Sequence, residues 1–162
     1  MAGMYFEDFE VGQVLAHEVT RTVTETDNLL FTTLTMNVQP LHLDAAFAAD
    51  SMYGQVLVNS VFTLGVTVGI PVQETTLGTT LGNLGFREVL FPKPVFIGDT
   101  LRVETETLDK RVSNSRPTTG IVGLEHRAVN QRGETVCIVR RSGLMKRREG
   151  AESTEGIGGE PR

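Results

Sequence analysis

The chain has 162 residues, 40% hydrophobic and 22% charged, with a net charge of −5, the composition of a globular domain with enough chain to bury a core. No apolar run approaches the ~20 residues that cross a bilayer, and the start, Met1-Ala2-Gly3-Met4-Tyr5-Phe6-Glu7-Asp8, lacks the basic and apolar parts of a secretory signal. The overall acidity, with no aromatics interleaved in a basic stripe, argues against nucleic acid.

Charge is uneven along the chain. Residues 1–80 hold one cation, Arg21, against nine carboxylates, whereas residues 81–162 hold fourteen cations and eleven carboxylates. That polarity fits either a polyphosphate ligand met by the second half or a set of half-exposed strands with mixed charge. The lone Cys137 has no partner for an internal disulfide, which fits a reducing compartment and makes the cytoplasm the expected location.

Tyr5 to Gly12 is a lead-in with aromatic anchors, followed by a strand over Val14–Thr24 with Leu15, His17, Val19 and Val23 on one face. On that face His17 reads as a packed histidine rather than a catalyst. Thr24-Glu25-Thr26-Asp27 opens a helix with a capping signal, and Leu29, Leu30, Phe31 and Leu34 form its expected buried stripe. Next comes the loop Thr35-Met36-Asn37-Val38-Gln39-Pro40-Leu41-His42-Leu43-Asp44, kept out of the α region by Pro40. Asp44 is placed to cap the short run Ala45–Ala49. A histidine held in a loop at a helix mouth is a candidate proton-transfer group.

Val56–Ile70 is apolar on nearly every side, predicting a helix buried all round and stopped by Pro71. Gly65 and Gly69 would let other backbone approach it. Asn59 sits oddly in that run, and its amide either ties down a neighbour or lines a pocket. Leu81–Phe91, Thr100–Val112, Thr119–Asn130 and Glu134–Lys146 have strand composition, with a hairpin turn at Asn130-Gln131-Arg132-Gly133 and Cys137 in the core. Gly78, Gly82 and Gly85 have the wrong spacing and setting for a dinucleotide loop. From Glu149 the composition predicts a disordered tail, leaving one domain over residues 1–148. Four long consecutive strands after one buried helix predict an α+β fold, an antiparallel sheet wrapped around a long central helix. Such a sheet leaves an exposed edge, and pairing two edges predicts a homodimer.

Gln39-Pro40-Leu41-His42-Leu43-Asp44, ahead of a Tyr53-Gly54 turn and a buried helix, resembles the MaoC-like hot-dog dehydratases, the (R)-specific enoyl-CoA hydratases. The resemblance covers residues 5–147. The family loop reads Gly-Asp-x-Asn-Pro-(Ile/Leu/Val)-His, so Pro40, Leu41 and His42 match while Met36, Asn37 and Gln39 do not, Asn37 standing where the family has its aspartate. The family's Ala-His-Gly in the central helix reads Val58-Asn59-Ser60 here. Leu57–Leu64, Thr75–Thr79, Phe91–Phe96, Ser115–Pro117 and Glu125–Ala128 look like a branch found beside CoA-ester lyases. The resemblance implies hydration of short branched or carboxylated enoyl-CoA esters such as mesaconyl- or itaconyl-CoA, with no cofactor and no metal.

Hydrating an enoyl thioester needs an oriented water, a group to take its proton and a donor for the thioester oxygen. His42 is the expected base, and Asn37, which cannot take a proton, is expected to hold the water through its amide. Gly54 or its neighbours at the start of the buried helix would face the oxygen. Gln39, Tyr53, Asn59 and Ser60 are the other candidate substrate-binding residues, together with Arg116 as partner for a carboxylate or a CoA phosphate. Asp44 competes with His42 as an acid or base, but capping accounts for it. Glu125 and His126 point to opposite faces of one strand, His126 towards the core. Two other functions remain open: a hot-dog acyl-CoA thioesterase, and a CoA-ester-binding protein without catalysis.

Overall fold

The structure is a computed structural model and describes residues 3–150. Its elements are β1 (Val14–Ala16), β2 (Arg21–Thr22), α1 (Glu25–Leu34), α2 (Ala45–Ala49), α3 (Ser60–Gly69), α4 (Val72–Thr75), β3 (Thr80–Leu90), β4 (Thr100–Val112), β5 (Thr119–Val129) and β6 (Thr135–Lys146). The strands form one antiparallel sheet in the order β1-β4-β5-β6-β3, with β2 also on β4. The sheet packs α3 against β5 and β6, the α+β hot-dog arrangement expected from the sequence. Of the tail expected from Glu149, residues 151–162 lie outside the described residues.

The four long strands follow the sequence pattern to within a residue or so. At the β5–β6 hairpin, Gly133 donates its N–H to the Asn130 carbonyl and takes the φ of +81° that a turn needs. The expected strand over Val14–Thr24 is broken. β1 and β2 meet β4 in registers that differ by two residues, and between them Glu18, Val19 and Thr20 stay exposed while His17 turns inwards.

Two apolar clusters fill the concave face. One joins Phe62, Leu64, Val66 and Ile70 to Val58, Val103, Ala128, Cys137 and their neighbours; the other seats Phe6 and Phe9 of the lead-in on Val122, Leu124 and Met145. Two helical expectations need correction. In α1 it is Asn28 and Thr32 that are buried, while Leu29, Leu30 and Leu34 are exposed. Helix α3 has ten residues and is not buried all round: Thr63 and Thr67 face inwards, and Val61 is 57% exposed. The run does end ahead of Pro71, as expected, and Pro71 then caps the separate helix α4. Apolar side chains on these helices exceed the inner surface that one sheet offers.

Between the two clusters runs a buried polar chain. Arg141 Nε donates to His126 Nε2 at 2.8 Å, and His126 Nδ1 meets Thr105 Oγ1 at 2.8 Å. The same hydroxyl meets His17 Nε2 at 2.8 Å, and His17 Nδ1 meets a Glu74 carboxylate oxygen at 2.6 Å. Arginine can only donate, so with both rings neutral the donors run in one order: Arg141 to His126, Thr105, His17 and finally Glu74. His17 and His126 are thereby packed core groups that tie α4 to the sheet.

Burial first, and then the neighbouring Arg141 charge, push the His126 imidazole down to about 3 from its ordinary 6.5. Between those values the unfolded chain binds a proton that the folded chain refuses, so stability present above pH 6.5 is lost as pH falls towards 3. Stability against urea should therefore fall between pH 6.5 and 5, before most carboxylates protonate, by at most ~1.4 kcal/mol per pH unit for this group. The His126 ring signals in NMR should stay those of neutral imidazole down to pH 4.

Candidate active site

The helices on either side of the loop bearing His42 both start with a side-chain cap. Thr24 and Asp27 form a reciprocal cap at the start of α1, the Thr24 hydroxyl accepting from Asp27 N–H at 3.2 Å and an Asp27 carboxylate oxygen accepting from Thr24 N–H at 2.8 Å. After Leu34 the chain reverses through Met36, which takes the left-handed φ of +60°, and Asn37 N–H returns to the Thr32 carbonyl. Pro40–His42 then makes one tight turn, His42 N–H donating to the Gln39 carbonyl. Asp44 accepts from the Ala46 and Phe47 amides at 2.9 and 3.0 Å, so its side chain is committed to capping α2.

His42 is held from the strand segment that precedes α3. Its Nδ1 lies 2.7 Å from the Leu57 carbonyl oxygen, and Leu57 N–H donates back to the Leu41 carbonyl. A carbonyl only accepts, so Nδ1 carries the proton and, in the neutral ring, Nε2 keeps its lone pair. The side chain is half-buried. Asn28, 1% exposed, stands behind it: Nδ2 donates to the His42 carbonyl at 3.0 Å and to the Leu57 carbonyl at 3.4 Å. Its Oδ1 accepts from Asn59 N–H at 2.9 Å. Asn28 was missed in the sequence because the leucines beside it suggested another inward face. The available signal was its spacing, one turn before Phe31 and Thr32.

Asn59 caps α3, its Oδ1 accepting from Val61 N–H at 3.0 Å, so of the two roles open to this amide it fills the anchoring one. Ser60, the first helical residue, has no partner for its N–H among the described residues and faces the positive end of α3. Gly54 N–H is already committed to the Ser51 carbonyl at 3.1 Å, which removes it as a free donor. A cavity of about 360 Å³ opens beside this helix end, with Tyr53, Leu57, Ser60, Thr63 and Lys93 on its wall. Tyr53 is steadied edge-on against Phe96, with ring centres 6.4 Å apart.

Phe96 is held in turn by Asp99. That carboxylate accepts from Phe96 N–H, from Gln131 and from both Arg132 Nη atoms. Burial by itself would raise the Asp99 pKa, but these donors hold it below the ordinary carboxylate range. The side chains of Asn37 and Gln39 are exposed on the His42 loop, with no partner among the described residues. Arg116 is not brought to this site. It sits in the turn after β4, whereas Leu57 and Val58 meet Phe96 and Val95 ahead of β4, and thirteen residues of strand span roughly 40 Å.

Residues 8–130 match the family model described as MaoC like domain. The chain belongs to the MaoC-like domain family. It is 32% identical over 150 residues to a mesaconyl-CoA hydratase of Cereibacter sphaeroides, covering 93% of this chain and 43% of that protein. It spans less than half the length of the curated relatives first matched. The crystal structure of the MaoC-like dehydratase from Rhodospirillum rubrum superposes with a TM-score of 0.79 at 30% identity, covering 90% of this chain and 99% of that one. A Mycobacterium tuberculosis conserved hypothetical protein with a double hotdog fold superposes at 0.81, with 24% identity, over 91% of this chain and 46% of that one. That likeness supports the fold of the MaoC-like domain.

Replacing Asn59 with Ala should cost ~1–2 kcal/mol of stability through loss of the α3 cap. Urea denaturation checks this, and Asn59→Ser or Asn59→Asp should recover most of the loss.

Proposed function

We propose that this MaoC-like chain hydrates a short, branched or carboxylated enoyl-CoA ester. The observation that carries the reading is the His42 Nδ1–Leu57 carbonyl bond, which leaves Nε2 as a lone-pair base. Water adds to the β-carbon of the enoyl thioester while Nε2 takes its proton; the imidazolium then returns that proton to the α-carbon on the same face. Asn37 stands where the resembling family has its aspartate, and its uncommitted amide orients the water without taking charge. The Ser60 amide and the positive end of α3 oppose the charge that grows on the thioester oxygen. The mesaconyl-CoA hydratase relative supports the substrate class.

We further propose a cytoplasmic homodimer, one hot-dog domain over residues 1–148 in each copy. Leu81, Leu84, Phe86 and Leu90 are exposed on β3, the edge strand of the sheet, and Leu34, Met36, Val38 and Val61 are exposed around the His42 loop and α3. A second copy would cover such surface and supply the other half of a double hot-dog. The described residues contain no helix long and apolar enough to cross a membrane, and the one cysteine is buried.

A second reading, CoA-ester binding without turnover, is favoured by one observation: His42 is absent from the wall of the 360 Å³ cavity. A hydration assay with mesaconyl-, itaconyl- and crotonyl-CoA separates the two. Turnover is expected, and His42→Ala should reduce it by ~10²–10⁴-fold. Turnover unchanged by that substitution rejects the base assignment, and binding without turnover by the wild type selects the second reading.

A further inference from the structure

We infer that Asn28 is a positioning residue that sets the tautomer of His42 and the spacing between that base and the start of α3. The geometry is a three-point clamp by one buried amide. Asn28 Nδ2 reaches the carbonyl of His42 itself and that of Leu57, the oxygen that receives His42 Nδ1–H. Asn28 Oδ1 takes the N–H of Asn59, the residue before Ser60. One amide therefore ties down the main chain of the base, the acceptor that orients its ring and the cap of the helix proposed to face the thioester oxygen.

The clamp is needed because the link from His42 to Leu57 crosses between the tight Pro40–His42 turn and the segment before α3, and the adjacent Leu41–Leu57 bond is the one main-chain tie between them among the described residues. If the carbonyls of His42 and Leu57 separate, Nδ1 loses its acceptor and the ring proton can sit on Nε2, the atom that must receive the proton of water. Asn28 touches no reacting atom and acts through His42.

The kinetic arm of the test rests on the hydratase reading; the spectroscopic arm does not. Asn28→Asp keeps an oxygen for Asn59 N–H but turns an acceptor towards two carbonyls, whereas Asn28→Ser removes the reach without adding charge. Long-range ¹⁵N imidazole spectra of the labelled full chain, with His42 assigned by His42→Gln, should show the Nδ1–H form in wild type and a mixture in both variants. In the hydration assay, kcat should fall ~10–100-fold with KM changed by less than ~3-fold, as expected for misplacement of a base rather than lost substrate contacts. The inference is overturned if a folded variant keeps the wild-type His42 spectrum, or if wild-type His42 itself is in the Nε2–H form. If the wild type turns over no enoyl-CoA, the hydratase reading falls and the spectra alone decide the role of Asn28.

Discussion

A single main-chain carbonyl, that of Leu57, organises the candidate site. It receives His42 Nδ1–H at 2.7 Å and the Asn28 amide at 3.4 Å, while the same residue's N–H is held by Leu41. A neutral hydrogen bond of this kind contributes only ~1 kcal/mol to stability, yet it decides which imidazole nitrogen can accept a proton. The segment carrying it is positioned by the sheet: Leu57 bridges to Phe96, and Val58 N–H donates to Val95. Asp99 and Arg132 hold that stretch against the β5–β6 hairpin. The chemistry thus rests on backbone geometry that the whole sheet maintains.

Much of this was legible in the residues. Strand composition and the turns between the runs placed β3 to β6, and the Thr24/Asp27 and Asp44 caps are local codes read within four residues. The loop histidine and the hot-dog order of elements were visible as well. What failed was the assumption that apolar means buried in the same chain. Leu29, Leu30, Leu34 and Val61 are apolar and exposed, while Asn28, Thr32, Thr63 and Thr67 are polar and buried. The Thr67 hydroxyl escapes the usual cost of burial by bonding to its own helix, at the Thr63 carbonyl 2.8 Å away, whereas Thr32 Oγ1 has no partner among the described residues. Asn28 escapes it by finding partners fourteen and more residues away, which no local pattern reveals.

The misplaced candidates show the same limit. Gly54 looked like a donor because it was expected at the start of the buried helix, but that helix starts at Ser60, and the turn that gives Gly54 its positive φ consumes its N–H. Arg116 looked like an anion partner because a proline fixes it, yet strand length puts it at the other end of the sheet from His42. Residue type identified candidates; only the pairing of main-chain groups decided which were still free.

Proton bookkeeping over the three histidines makes the argument for His42 from a different side. His17 has both ring nitrogens committed, to Glu74 and Thr105, and His126 has both committed, to Thr105 and Arg141. Neither can exchange a proton with a ligand without breaking one of these bonds, of which all but the part-buried His17–Glu74 contact are buried. His42 alone has one nitrogen fixed and, among the described residues, the other without a partner. It is also the least buried of the three. A core histidine is stabilised by spending both nitrogens; a base must keep one. The fold uses four of its six imidazole nitrogens in the polar chain and a fifth on Leu57, and the sixth, His42 Nε2, is left without a partner among the described residues, as the proposed base requires.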